Sequence, residues 1–483
     1  MTVFPLYRST APRRSILPSP LASAIVGSLL MAAALPALAQ AGNADELSRY
    51  QFQRSLQAAF AAPAATTSPS PALAIAAADV HVAPQPIMGQ AGDAASWRTT
   101  EFNNDWGLQA INADAAYARG LTGAGIRLGV FDSGTGLDHP EFAGKNHRSI
   151  HLADRLADGS PCTNSSALRG PDACFSSDGD QVAIDALVFD ASLTPAQLAL
   201  LADNDYVEGL TYNTHGTHVG GTIAANRDGN GTHGVAFGAD LSVARLFFNS
   251  ASLIYNNNGV LSQGSLGGVG PSDETFADMY AQMNAQQVRA VNHSWGFTRE
   301  PVSAAEQDAN FYENPDYEDY FNIIGDGSRA NGMIQVWAAG NIYPYNTSPE
   351  SAPIAGVHAT LPRVQADLEP YWLAVVNVDQ DSVLAISSMR CGLAANWCLA
   401  APGSDINSTV YGADSQLAGN VYPTGDNNDG VAFDVTVRMP TYAYDSMTGT
   451  SMAAPHVTGA LGLLFERFPY LDNAQVPRPK PLP

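Results

Sequence analysis

The chain has 483 residues, 45% of them hydrophobic and 14% charged, which is enough for one large α/β domain with flanking segments. Its 46 acidic and 23 basic residues give a formal net charge of −23, which argues against nucleic acid or an anionic membrane as partner.

The N-terminus reads as an export signal. Arg8, Arg13 and Arg14 precede an apolar stretch from Leu21 to Leu35, and Ala37-Leu38-Ala39 supplies a small-residue cleavage pattern, so residues 1–39 are expected to be a signal peptide. Ser23, Gly27, Ser28 and Pro36 interrupt the stretch, which favours a cleaved signal over a retained anchor. No later segment approaches the ~20 apolar residues that a spanning helix needs, so no membrane span is expected in the mature chain. Residues 40–97 are expected to be a low-complexity linker or a reduced pro-segment. The run from Ala62 to Pro71 cannot bury a core, although Leu47, Tyr50, Phe52, Leu56 and Phe60 before it suit a short helix.

From about residue 98 the texture is that of a globular domain extending to 475. Short apolar runs bounded by glycines recur at Ile126–Phe131, Leu241–Phe248, Ala290–Ser294, Met333–Ala338 and Trp372–Val378, lengths that suit strands buried on both faces. Phe276, Met279, Tyr280 and Met283 mark one face of a helix starting near Ser272. The alternation predicts an α/β fold, a doubly wound parallel sheet with helices on both faces in three layers. Four cysteines allow three pairings. Cys162 with Cys174 and Cys391 with Cys398 require the least rearrangement, and neither spacing matches a zinc site. A last helix should run from Ser451 to about Phe468, where Pro469 ends it. Residues 476–483 carry four alternating prolines and are expected to be an extended tail.

Three segments carry chemistry. In Gly449-Thr450-Ser451-Met452-Ala453-Ala454-Pro455-His456, a serine follows a glycine turn at the head of an apolar helix. Free N–H groups and the positive dipole end there favour a developing oxyanion. Pro455 has no N–H to return to the carbonyl of Ser451. Taken alone, this serine is an ordinary helix cap. A serine nucleophile also needs a base and a carboxylate to orient that base. His215-Gly216-Thr217-His218 opens a glycine-rich helix, with His215 the candidate base and His218 a packing residue. Val130-Phe131-Asp132-Ser133-Gly134 places a carboxylate at the end of a buried strand.

Together, in the order Asp, His, Ser, these segments resemble the subtilisin-like serine proteases, the subtilases. The resemblance implies a catalytic triad of Asp132, His215 and Ser451, and an oxyanion donor at Asn341 within Ala338-Ala339-Gly340-Asn341. It also implies an S1 pocket walled by Ser294, Trp295 and Gly296 on one side and by Ala338, Ala339 and Gly340 on the other. Neither wall contains an acid, so large apolar P1 side chains are expected rather than lysine or arginine. No cofactor enters the implied chemistry. Calcium is a common structural ion of the family, but no loop here names its ligands. The run from Arg390 to Gly403 is similar to the serine-protease passenger domains of Gram-negative autotransporters, which implies a secreted, periplasmic or surface location. A monomer acting on protein or peptide substrates is expected. The family continues in helix and strand beyond the serine helix, so a C-terminally truncated domain is the expectation. The alternative is a catalytically impaired surface passenger fragment acting by binding or adhesion.

Overall fold

The apolar runs between glycines pair edge to edge into one wholly parallel sheet. Its strands are β1 (Arg127–Asp132), β2 (Arg148–Ser149), β3 (Asp240–Arg245), β4 (Ala290–His293), β5 (Ile334–Ala338), β6 (Trp372–Val378) and β7 (Cys398–Pro402). In space they run β7-β6-β5-β4-β1-β3-β2. The structure, a computed structural model, describes residues 89–472 apart from 157, 163–173, 204–205, 207, 267–269, 298–299, 302, 343–353, 413–416, 424–430 and 438–439. The expected signal peptide, most of the expected linker and the 476–483 tail lie outside these residues.

Alternation along the central strands feeds two cores. Leu128, Val130, Val243, Val336 and Val375 face α1 (His215–Ala224) and α4 (Thr450–Arg467). Phe131, Val291, Trp337, Ala374 and Val376 face α2 (Asp273–Ala285) and α3 (Glu318–Arg329). Helix, sheet and helix make the three layers expected for α/β, and β1 and β3 to β6 are dry on both faces, which is why they read as continuous apolar runs. Ser272 caps α2 by accepting from Thr275 N. Strand order reverses beside β1, between β3 and β4, so a crevice opens there at the carboxyl ends of the strands.

Several elements lie outside the expected pattern. A four-stranded sheet of 209–212, 184–189, 250–257 and 260–266 carries a helix at Pro195–Asp203. It joins the main domain through Ala183 N to Ser133 O at 2.8 Å. Strands β8 (Ile406–Tyr411) and β9 (Tyr442–Met447) form an antiparallel pair. The residues of β9 are exposed or half-buried, so no apolar run announces it. Packed structure also begins before the boundary expected at residue 97. Gly92 N donates to Ala118 O, and Trp97 is buried with its indole N–H on Gln90 O. Cys162–Cys174 and Cys391–Cys398 are disulfides. Among the described residues, no helix is long and apolar enough to cross a membrane.

Candidate active site

Asp132 ends β1 at the crevice and is fully buried. Its Oδ1 accepts from Ser133 N at 2.7 Å and lies 2.7 Å from His215 Nδ1, while its Oδ2 has no protein partner. His215 opens α1, and Gly216 is what lets it come so close. A Cβ on Gly216 would stand 2.5 Å from Gly134 O and 3.0 Å from Asp132 Cβ. Burial draws the His215 pKa down, but the charge and hydrogen bond of Asp132 outweigh it and leave the pKa above 6.5. His218 is a packing residue: it is buried, with Nε2 2.9 Å from Ile406 O.

Ser451 sits in the first turn of α4, where backbone N–H groups lack intrahelical partners. Pro455 cannot donate to Ser451 O, and the hydroxyl of Ser294 takes that place at 2.8 Å. Ser294 is itself held by Asn292 Nδ2 at 2.8 Å, and Asn292 Oδ1 accepts from Thr458, about two turns beyond Ser451 along α4. Ser451 Oγ donates to Ser294 O at 3.1 Å rather than to His215. His456, in the same motif, anchors the helix from below. Its Nε2 lies 3.2 Å from Asp105 Oδ2 and its Nδ1 2.9 Å from Met452 O, all out of solvent.

Asn341 follows β5. Its Oδ1 accepts from Thr450 N at 3.0 Å and from Thr450 Oγ1 at 3.2 Å, which fixes the amide and turns Nδ2 away from those donors. Gly340 has φ +103°, and a Cβ there would meet Met389 Sδ at 2.5 Å, so only glycine fits. Met389 N in turn donates to Gly340 O at 3.0 Å. The segment is continued by the Cys391–Cys398 disulfide.

Ser294 and Gly296 follow the end of β4, and Ala338 and Gly340 lie at and just past the end of β5. Trp295 and Ala339 differ. Their side chains lie in the core under α2 and α3, with Trp295 edge-on to Trp337 at 5.0 Å, so these two residues can offer a wall only their backbone. The premise that no acid reaches the walls does not hold either. Glu300 lies outside both segments, yet its carboxyl lies against Gly296 and Gly356. Nothing in the motif spacing marks it, nor Met389 or His358, because their approach depends on how the loops fold back. Among the described residues, no three His, Cys, Asp or Glu side chains gather as a metal site.

A buried carboxylate on an imidazole at the head of α1, with a serine at the head of α4, which packs against α1, is the arrangement of a serine hydrolase. The subtilase family profile matches residues 123–478, and the chain belongs to that family. An extracellular serine protease of Serratia marcescens is 31% identical over 420 residues, covering 80% of this chain and 32% of the relative. Serotype-specific antigen 1 of Mannheimia haemolytica is 26% identical over 390 residues, covering 74% and 35%. Subtilisin BL of Lederbergia lenta is 25% identical over 371 residues, covering 77% and 87%. The chain thus spans about a third of the length of the Serratia and Mannheimia relatives.

Proposed function

We propose that the chain is a secreted serine endopeptidase with Asp132, His215 and Ser451 as its triad. The observation that carries this reading is the buried 2.7 Å contact between Asp132 and His215, with Ser451 at the head of α4, which packs against α1. Ser451 Oγ exchanges its bond to Ser294 O for one to His215 Nε2 and attacks a peptide carbonyl as the imidazole takes its proton. Asp132 holds Nδ1–H and supports the imidazolium. Asn341 Nδ2 and Ser451 N–H receive the oxyanion, His215 passes its proton to the leaving amine, and water releases the acyl group. No cofactor takes part.

The P1 slot takes large side chains with apolar bodies, in keeping with the small residues at its walls. A P1-randomised peptide library is expected to show cleavage after such residues, and preference for acidic or very small P1 residues would overturn this. Export is supported by the N-terminal signal pattern and by the relative named as extracellular.

The deciding experiment is labelling with a fluorophosphonate probe beside a Ser451→Ala control. Labelling of the unaltered chain alone is the expected result. A folded chain that does not label would favour the alternative of a passenger segment acting by binding or adhesion.

A further inference from the structure

Glu300 lies against glycines from both segments expected to wall the P1 slot. A Cβ on Gly296 would stand 2.9 Å from its Oε1, one on Gly356 2.8 Å from its Cδ, and one on Gly340 3.9 Å from its Cγ. The carboxyl therefore packs into the space that the missing side chains of Gly296 and Gly356 leave, its stem in contact range of Gly340, while Glu300 itself stays half-buried. Oε1 accepts from Phe297 N at 3.1 Å and Oε2 from Val357 N at 2.9 Å, which leaves each oxygen capacity for another donor. A second polar group looks the same way. His358 Nδ1 is buried without a protein partner, and the Cβ position on Gly296 is 3.9 Å from it.

The described surroundings of Glu300 do not neutralise it. Tyr312 and Tyr320 bear on it from the neighbouring helices, both with phenol pKa values raised by burial. His358 is held neutral, its pKa pushed down to about 3 by burial. The nearby Arg363 is paired with Asp308. Among the described residues, no basic side chain pairs with Glu300.

We infer that Glu300 is a specificity-determining residue of the P1 slot, selecting side chains whose apolar stem ends in a hydrogen-bond donor. Tyrosine is then favoured over phenylalanine, and lysine over norleucine. This inference rests on the endopeptidase reading above. The stem packs between the walls while the tip donates to the carboxyl. A substrate lacking the donor leaves a desolvated acceptor unfilled, and that mismatch is what discriminates. Burial also pushes the Glu300 pKa up to about 7. A phenol can donate to the carboxyl in either form, whereas an ammonium gains an ion pair only with the ionised one. The lysine-to-norleucine ratio therefore climbs as pH rises through neutrality, and the tyrosine-to-phenylalanine ratio moves less.

The test compares kcat/KM for peptides differing only at P1, tyrosine against phenylalanine and lysine against norleucine, from pH 5 to pH 9. The full chain is used beside Glu300→Leu and Glu300→Gln. Expected are ratios of about tenfold or more for the unaltered chain in the ionised range, falling toward unity in Glu300→Leu. Glu300→Gln should retain part of the tyrosine preference and lose the pH dependence of the lysine ratio. Ratios unchanged by Glu300→Leu would overturn the inference and leave the endopeptidase reading intact. Should both variants misfold, the unaltered chain still decides: a lysine ratio flat across this range overturns the inference. A chain that neither labels with fluorophosphonate nor cleaves any peptide overturns the endopeptidase reading, and the inference falls with it.

Discussion

Ser294 and Ser451 hold each other reciprocally: Ser294 Oγ donates to Ser451 O at 2.8 Å, and Ser451 Oγ donates to Ser294 O at 3.1 Å. The first bond supplies what Pro455 withholds from the first turn of α4. The second parks the hydroxyl on the end of β4. Removing the Ser294 hydroxyl leaves Ser451 O buried without its donor. Ser294→Ala should therefore lower unfolding stability by about 1–3 kcal/mol, read by denaturant titration. It should also slow fluorophosphonate labelling, because the head of α4 loses its tether to β4.

Asn341 is held by its oxygen, which leaves the amide nitrogen for the substrate. Asn341→Asp keeps an acceptor for Thr450 but loses the donor. On the proposed mechanism kcat should fall about 10²–10³-fold with KM little changed, the size such a donor has in subtilisin. Steady-state kinetics on a peptide substrate provides the check. An equal loss in binding and turnover would place Asn341 in substrate binding instead.

The base must be neutral to take the serine proton. Since Asp132 raises the His215 pKa, the acid limb of kcat/KM should inflect above 6.5, with activity lost as pH falls through it. Asp132→Asn removes the charge that opposes burial. The inflection should then move to lower pH, and the rate should drop by about 10⁴-fold. A pH–rate profile of both proteins reads the two effects together.

The pair under α4 makes a separate stability prediction. Burial lowers the His456 pKa, but Asp105 outweighs it and the net shift is upward. The pair's contribution is thus fully present below 6.5, the ordinary value, and fades as pH climbs through the raised folded pKa. Asp105→Ala should cost about 3–5 kcal/mol on the acid side, because it strands a buried imidazolium. The difference from the unaltered chain should narrow on the alkaline side, as thermal unfolding at several pH values would show. Gly107→Ala should destabilise as well, since its Cβ would lie 2.2 Å from His456 Nε2.

The sheet was readable from the sequence because β1 and β3 to β6 are dry on both faces and so spell continuous apolar runs. The short edge strand β2 and the exposed β9 carry no such run, and their pairing is set by tertiary contact. The carboxylate, imidazole and serine were legible because each sits at an element end, with glycine or proline marking the local backbone. Glu300 was not, because its place depends on Gly296 and Gly356 coming together across the fold. Trp295 shows the same limit from the other side. Its position in the motif could be read, but the direction of its side chain is decided by Trp337 and His358, which it meets at 5.0 Å each.

Helix α4 carries Ser451 and at the same time roofs the strands on one side of the sheet, touching β1, β4, β5, β6 and β7. Delivery of the nucleophile and closure of that half of the interior are therefore a single event. A chain emerging N-terminus first would hold its carboxylate and imidazole long before it held a serine to activate. On the proposed reading, cutting power arrives only once α4 has closed over the sheet.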